Sequence, residues 1–371
     1  MKSYDVFLPC YSVGPDCYRA VPRIARRFGT KAVVIGGKTA MAKARGALLD
    51  AVEGSGLSVT DFVWYGGNST YENVEALTEN PAVRGADIIF GVGGGRAVDT
   101  SKVVCDRLGK PLFAFPTIAS NCASCTAIAV IYHQDGTLQE YYTLKTPPDH
   151  TFIHTGIIAQ APETLFWAGI GDALSKEPEV LLATRGAEMF HTLLVGAQLS
   201  RACGAPLFEY GLQALRDCRA GKVSFALEQV VLDIIVSTGL VSNLTSSSEY
   251  YYNSSLAHCF YNSVSLAGKA GAHLHGEIVS FGILCLLACD NRPEELEKYA
   301  EFNLSLGLPV CLGDLDLSAE DLPAILEKAP SVTEWKCVPY PMTRERFKNG
   351  ILRADALGQK LKVQAKARLI L

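Results

Sequence analysis

The sequence predicts an α/β protein in two parts, a first domain built on a parallel sheet and a second domain made only of helices. Strand-like and helix-like segments alternate up to about residue 160, and helical periodicity dominates from there on. The 371-residue chain is also longer than one hydrophobic core usually supports. We therefore place the domain boundary at Ala161 and Pro162, which divides the chain into residues 1–161 and 162–371.

Five short apolar runs rich in β-branched residues predict the strands of the first domain. They span residues 32–35, 62–65, 87–90, 111–115 and 127–132. Helical patterns lie between the earlier strands, at residues 18–28, 41–53 and 71–80. This alternation predicts a parallel sheet covered on both faces, with a ligand crevice beyond the carboxyl ends of its strands. A turn at Asp135-Gly136 adds a hairpin between the last strand and residues 139–142.

Apolar periodicity predicts six helices in the second domain. They span residues 187–202, 225–240, 249–264, 277–288, 294–307 and 319–329. Before them, Asp172 stands after small residues, a pattern typical of a helix start, where Asp often caps the first turn. Pro178 should shorten or kink that helix, because proline has no backbone N–H to donate. The longest apolar run, residues 283–289, is shorter than the ~18 residues of a membrane-spanning helix.

Composition restricts the partners and the compartment. The net charge is −4 and Lys and Arg form no block, so the chain lacks the basic footprint of nucleic-acid or anionic-membrane binding. We expect a small-molecule substrate and a homo-oligomer. An acid and a proline interrupt the first ten residues, which argues against a signal peptide. Twelve scattered cysteines fit a reduced, cytoplasmic protein, and the single CxxC pair, Cys122 and Cys125, lacks the second pair of a zinc site.

The run Gly93-Gly94-Gly95 follows a buried strand and precedes a helix that we predict over residues 96–108. Three glycines remove every Cβ, so backbone N–H groups can approach phosphate oxygens while the helix N-terminus adds partial positive charge. The loop therefore indicates diphosphate binding. The run matches neither the GxGxxG nor the Walker A pattern, and a plain tight turn remains the alternative.

Residues of the metal-ligand type lie far apart in the second domain. Asp172 follows Gly171, His258 belongs to an apolar helix, and His275 precedes another. A single histidine on an apolar helix is more often a core residue than a ligand. Spacing alone therefore does not establish a metal site.

Five segments occur in a characteristic order. They are residues 91–102, 116–120, 168–174, 257–262 and 275–282. Together they resemble the iron-containing alcohol dehydrogenase superfamily, in its glycerol dehydrogenase-like branch. The resemblance implies the fold shared with dehydroquinate synthase and one divalent metal, Zn²⁺ or Fe²⁺, held by Asp172, His258 and His275, which are then the catalytic residues. It favours His275 over the nearby His273.

The resemblance also implies a nicotinamide cofactor, with its diphosphate on the glycine run. The cofactor-binding residues would be Gly37, Lys38, Gly93, Gly94, Gly95, Asp99, Thr117, Ser120 and Thr126. The end of the second predicted strand lacks the acid that binds a ribose 2′-hydroxyl, and Gly37 and Lys38 leave room and charge for a 2′-phosphate. We therefore expect NADP rather than NAD, with a solvated Lys38 as the alternative.

One departure bears on the substrate. Glycerol dehydrogenases of the superfamily carry an acid that contacts the polyol, and Cys122 stands in its place. Loss of that acid would favour a substrate with its own carboxylate, because like charges repel in a closed site. We expect reduction of a 2-oxo acid to a 2-hydroxy acid, as in the superfamily's hydroxycarboxylate dehydrogenases. The alternatives are a glycerol or polyol dehydrogenase, a dehydroquinate synthase-like lyase, and a non-catalytic nucleotide-binding protein.

Overall fold

The computed structural model describes the backbone of residues 5–370 and the side chains of residues 5–367. Packing divides the chain into two compact units. The first runs through Phe166 and takes in Gln213–Asn243, and the second comprises Trp167–Leu212 and the chain from Leu244 onward. This division differs from the single boundary expected after residue 161.

The segment Gln213–Asn243 belongs to the first unit because it contacts the loop after the fifth strand of the sheet. The side chain of Asn243 donates to the carbonyl of Cys125 and accepts from the N–H of Ala127, both at 2.8 Å. Gly239 packs so closely on Cys125 that an added Cβ would lie 2.7 Å from the Cβ of Cys125. Periodicity alone gave no sign of these long-range contacts.

A six-stranded parallel sheet forms the centre of the first unit, beside a separate two-stranded hairpin. The strands are β1 (Tyr11–Val13), β2 (Lys31–Gly36), β3 (Ser58–Trp64), β4 (Ile88–Gly93), β5 (Leu112–Pro116), β6 (Ile128–Tyr132), β7 (Leu138–Thr143) and β8 (His150–Ile153). The order in the sheet is β1-β8-β5-β4-β2-β3, and β6 pairs with β7 in the hairpin. The five predicted strands and the hairpin are confirmed. Strands β1 and β8 were not predicted, because three or four residues give too little alternation to read.

Alternate residues of the central strands belong to two apolar layers, one on each face of the sheet. On one face Val34, Phe90 and Phe115 pack with the aromatic ring of Phe152. On the other face lie the intervening residues, such as Ile89. Burial on both faces explains why the strands read as continuous apolar runs.

Seventeen α-helices lie within the described residues. They are α1 (Val21–Ala25), α2 (Lys38–Val52), α3 (Tyr71–Glu79), α4 (Pro81–Gly85), α5 (Gly95–Leu108), α6 (Thr155–Ala159), α7 (Glu163–Ala173), α8 (Lys176–Ala183), α9 (His191–Ser200), α10 (Ala205–Arg219), α11 (Phe225–Leu232), α12 (Thr238–Thr245), α13 (Leu256–Leu266), α14 (His275–Cys289), α15 (Pro293–Leu306), α16 (Leu322–Lys328) and α17 (Arg344–Ile370). Short 3₁₀ turns add to them. The helical character predicted for the later part of the chain is confirmed.

A π-helical turn, Asp233–Ser237, joins α11 to α12. The continuous helical run Phe225–Thr245 is long and apolar enough to cross a membrane by length and composition, and it is the only such helix in the part of the chain that the structure describes. Core helices of soluble proteins pass the same test, and most of this run is buried inside the protein.

Asp233 is a buried acid within that π-helical turn. It is 1% exposed, and neither carboxylate oxygen meets a hydrogen-bond donor at normal distance. Burial raises the pKa of Asp233 to about 8, a shift that the nearby Ser237 only partly offsets. In the unfolded chain an Asp pKa lies near ~3.9, so the folded state binds more protons between these two values. Stability contributed by this group is therefore present at low pH and lost as the pH rises towards 8.

We predict that Asp233→Asn stabilises the protein increasingly as the pH rises. Each pH unit within the window costs the wild type about 1.4 kcal/mol, so the advantage of the variant should grow by about 3 kcal/mol between pH 5.5 and pH 8.5. Urea unfolding of both proteins at the two pH values measures the difference. The exposed Asp50 provides the control, and Asp50→Asn should shift stability equally at both pH values. A pH-independent effect of Asp233→Asn would contradict the prediction.

Candidate active site

Asp172 lies in the last turn of α7 (Glu163–Ala173), which corrects the expectation that it opens a helix. The small residues before it lie within the helix and allow a close helix crossing, so they do not mark a start. The next helix, α8, begins at Lys176 and holds Pro178 in its first turn. The missing N–H of Pro178 fits the break between α7 and α8, and the expected shortening of the Asp172 helix is therefore found.

Glycines bring three helices of the second unit into backbone contact. A Cβ added at Gly276 in α14 would lie 1.9 Å from the carbonyl oxygen of Ala168 in α7. A Cβ at Gly282 would lie 2.4 Å from the carbonyl oxygen of Ala257 in α13. Only residues without a Cβ allow these crossings. The crossings place the ends of α7, α13 and α14 side by side.

Asp172, His258 and His275 meet at these crossings. The Asp172 Oδ1 atom lies 3.1 Å from His275 Nε2 and 3.5 Å from His258 Nε2. One ligand atom from each residue lies within 4.8 Å of the other two, and no other such group occurs in the described part of the chain. The three residues predicted as ligands are thus brought together.

This spacing fits a divalent metal. Ligand bonds of ~2.0–2.1 Å in a tetrahedral zinc site separate neighbouring ligand atoms by about 3.3 Å, which is close to the two measured separations. One carboxylate and two imidazoles suit Zn²⁺ or Fe²⁺. The His275 side chain is 38% exposed, so a small molecule could reach a fourth position.

Electrostatics around the cluster favour a bound cation. Burial acts to raise the pKa of Asp172, but His275 and His258 hold it far below the usual range, so the carboxylate is ionised. Burial acts to lower the pKa of His258, but Glu179 and Asp172 raise it. Two carboxylates, Asp172 and Glu179, therefore face His258 from opposite ring nitrogens. A divalent cation would neutralise their negative charge.

Glu179 is a further residue of this site, for which no role was predicted. Its side chain is fully buried, and its Oε2 lies 2.6 Å from His258 Nδ1. Burial acts to raise the pKa of Glu179, but His258 and neighbouring N–H groups lower it. In the sequence nothing distinguishes Glu179 from Glu177, the other acid in the first turn of α8.

His273 lies outside the cluster, in line with the preference for His275. Its Nδ1 is 2.9 Å from Glu277 and its Nε2 is 3.2 Å from Asp316, so both ring nitrogens are occupied by carboxylates. His273 therefore has no ring nitrogen left for the metal.

The glycine run in the first unit has the predicted strand–turn–helix form. Gly93 ends β4 with φ 147°, a conformation that side chains rarely adopt. A Cβ at Gly94 would lie 2.6 Å from the Cδ1 of Ile118. Helix α5 starts at Gly95 with no side-chain cap and no acid in its first turn. The free N–H groups suit an anion, and the role of Gly93, Gly94 and Gly95 in binding the diphosphate remains a prediction.

Asp99 and Thr126 belong to a buried network around Lys102 of α5. The ammonium of Lys102 donates to Asp99 at 3.1 Å, to Thr126 at 3.0 Å and to the carbonyl of Ile128. Asp99 also accepts from the N–H of Val130. Both residues therefore help to join α5 to the segment that leads into β6, and direct contact with a cofactor stays a prediction for them.

The segment after β5 lies next to the glycine run. Gly93 pairs with Pro116 in the sheet, and the N–H of Thr117 donates to the carbonyl of Gly93. Thr117 is buried and Ser120 is half-buried. Parallel strands thus place both predicted cofactor-binding segments at one edge of the sheet, as the alternation implied.

Gly37 and Lys38 lie at the same end of β2. Gly37 precedes α2, whose first turn contains no acid. The ammonium of Lys38 sits 4.6 Å above the ring of Trp64, which is 48% exposed. The geometry leaves a cation and an exposed aromatic face beside the strand end.

Cys122 is half-buried in the loop that follows β5, immediately before a 3₁₀ turn. It and Cys125 are free thiols, and burial raises the pKa of Cys125 to about 12, so that thiol is unreactive. Nothing in the pair suggests redox chemistry.

A glycine-rich helix start on a parallel sheet and a cluster of one aspartate and two histidines are features that a metal-dependent dehydrogenase combines. Residues 9–155 match the family described as iron-containing alcohol dehydrogenase. The chain is 30% identical over 367 residues to a glycerol dehydrogenase of Pseudomonas putida, covering 94% of this chain and 96% of the relative. The chain belongs to the iron-containing alcohol dehydrogenase family, and it is an oxidoreductase acting on CH–OH groups.

Two further comparisons agree with this. Over 291 residues the chain is 30% identical to hydroxycarboxylate dehydrogenase A of Escherichia coli K12, covering 78% of each. The crystal structure of glycerol dehydrogenase from Schizosaccharomyces pombe matches with a TM-score of 0.88 at 25% identity, over 99% of this chain and 94% of that chain. The predicted fold class is thus confirmed.

Proposed function

We propose that this enzyme oxidises a small polyol of the glycerol type with a nicotinamide cofactor, and reduces the matching carbonyl compound in reverse. The observation that carries the proposal is the Asp172, His258 and His275 cluster in a chain that matches a glycerol dehydrogenase over 94% of its length. The same similarity supports the polyol alternative better than the 2-oxo acid reduction that we expected from Cys122.

The residues of the cluster have distinct tasks in this proposal. A divalent metal bound by Asp172, His258 and His275 would supply Lewis acidity to the reacting oxygen of the substrate. Asp172 contributes the negative charge of the ligand set, and the exposed edge of His275 leaves the site open to a small molecule. The glycine run holds the cofactor diphosphate through free N–H groups, so the cofactor supplies the hydride and the chain supplies position.

For the cofactor, we propose that the enzyme accepts the 2′-phosphate of NADP(H). No acid stands after β2 to repel that phosphate, and the Lys38 ammonium lies on exposed Trp64. Lys38→Ala should lower kcat/KM for NADP⁺ by about tenfold and leave NAD⁺ unaffected, since one charged contact is worth about 1.5 kcal/mol. Equal loss with both cofactors would remove Lys38 from this role.

The second candidate is reduction of a 2-oxo acid. Its support is Cys122, which occupies the position where glycerol dehydrogenases of the family carry an acid. An uncharged residue there would tolerate a substrate carboxylate.

We also propose that the enzyme is cytoplasmic and that it forms a homo-oligomer. Size-exclusion chromatography with light scattering tests the oligomeric state.

The deciding experiment follows absorbance at 340 nm with zinc-loaded enzyme. Oxidation of glycerol and related diols by NAD⁺ and NADP⁺ is compared with reduction of a panel of 2-oxo acids by NADH and NADPH. We expect turnover of a polyol, and Cys122→Asp should raise kcat/KM for the polyol. Turnover of 2-oxo acids alone, lost in Cys122→Asp, would establish the second candidate. Cys10→Asp, at an exposed thiol, is the matched control.

A further inference from the structure

The buried carboxylate of Glu179 contacts the start of α13 from the neighbouring helix α8. Its Oε1 accepts from the N–H of Ser255 at 2.8 Å and from the N–H of His258 at 2.9 Å. Its Oε2 faces His258 Nδ1 at 2.6 Å. Both carboxylate oxygens of Glu179 therefore contact the start of α13, the helix that carries the proposed ligand His258.

These contacts keep Glu179 an acceptor. Two N–H donors at a helix N-terminus stabilise negative charge, through hydrogen bonds and through the helix dipole. A carboxylate in that state has no proton to give to Nδ1. The proton in the Glu179–His258 hydrogen bond must therefore reside on Nδ1 of the imidazole.

A second contact joins α8 to the segment before α13. The ammonium of Lys176 donates to the side-chain oxygen of Asn253 at 2.7 Å and to its carbonyl at 3.3 Å. Lys176 and Glu179 are one turn apart on α8, and Asn253 and Ser255 are two residues apart. Lys176 and Glu179 therefore both join α8 to the segment that leads into α13.

We propose that Glu179 is a positioning residue that holds His258 with its proton on Nδ1, so that the lone pair of Nε2 points to the metal position beside Asp172. The measured separation of 3.5 Å between His258 Nε2 and Asp172 Oδ1 is the geometry that this arrangement maintains. The inference rests on the metal role given to the cluster in the proposed function. Glu179, on a different helix from the three ligands, is then a fourth residue that determines the affinity for the metal.

Glu179→Gln separates positioning from packing. The amide has the same shape, and its oxygen can still accept from Ser255 and His258. Its NH₂ group then faces Nδ1 and can only donate, which moves the imidazole proton to Nε2 and blocks that nitrogen as a ligand. A residue needed only for packing would tolerate this change. Glu177→Gln, two residues away and only half-buried, is the matched control.

The experiment measures the Zn²⁺ affinity of metal-stripped protein by competition with a chromophoric chelator, with circular dichroism as the check on folding. We expect Glu179→Gln to bind Zn²⁺ about 10–100-fold more weakly than the wild type, and Glu177→Gln to match the wild type. An affinity for Glu179→Gln within twofold of the wild type, or no Zn²⁺ binding by the wild type, overturns the proposal.

A second measurement stands even if Glu179→Gln does not fold. Nitrogen-15 NMR of zinc-loaded wild type reports which ring nitrogen of His258 carries the proton. A proton on Nδ1 supports the proposal, and its absence there overturns it. Zinc binding with the proton on Nδ1 of His258, but without polyol turnover, would contradict the proposed function and leave the positioning role of Glu179 intact. Failure of one proposal can therefore be told from failure of the other.

Discussion

Asp172→Asn is expected to lower kcat/KM by about 10³-fold or more. Asp172 is the one member of the proposed ligand set with negative charge, and both histidine Nε2 atoms lie within 3.5 Å of its Oδ1. An amide removes that charge, so the site loses most of its attraction for a divalent cation. Lewis acidity is worth several kcal/mol of transition-state stabilisation, and about 4 kcal/mol corresponds to 10³ in rate.

Steady-state kinetics and metal content measure this together. Chelator treatment of the wild type should cause a similar loss that added Zn²⁺ reverses, whereas added Zn²⁺ should not restore Asp172→Asn. Asp316→Asn is the control, because it changes an acid–histidine pair outside the cluster at an exposed position. Retention of more than a tenth of the activity by Asp172→Asn would refute a metal-dependent mechanism at this site.

Gly276→Ala is expected to destabilise the second unit by about 3 kcal/mol and to weaken metal binding. The added methyl would lie 1.9 Å from the carbonyl oxygen of Ala168. That neighbour is backbone, which cannot rotate away as a side chain can, so α7 and α14 must separate. His275 begins α14 and would move away from Asp172 with it.

Thermal unfolding and Zn²⁺ affinity test this prediction. Gly313→Ala is the matched control, because a Cβ there meets nothing within 4 Å. We expect the control to change neither quantity. If Gly276→Ala had wild-type stability, the close crossing of α7 and α14 would not be what assembles the ligands.

The metal cluster and the helix crossing differ in how readily the sequence reveals them. The ligand identities were predicted, because three motifs in order resemble one family. The crossing glycines were part of the same motifs, but their purpose became visible only as distances between backbones. Glu179 was missed, since an acid in the first turn of α8 has no visible partner until α8 and α13 are packed together.

The sequence by itself determined the α/β and helical character of the chain and the strand–glycine–helix unit at residues 87–108, and its resemblance to the family pointed to Asp172, His258 and His275 as the proposed metal ligands. These depend on local periodicity and on motifs, which a linear chain carries directly. Only the tertiary structure decided that Asp172 lies at the end of a helix, that residues 213–243 pack with the first unit, and that Glu179 contacts His258. Each of these depends on contacts between residues distant in sequence, where close packing selects the partners.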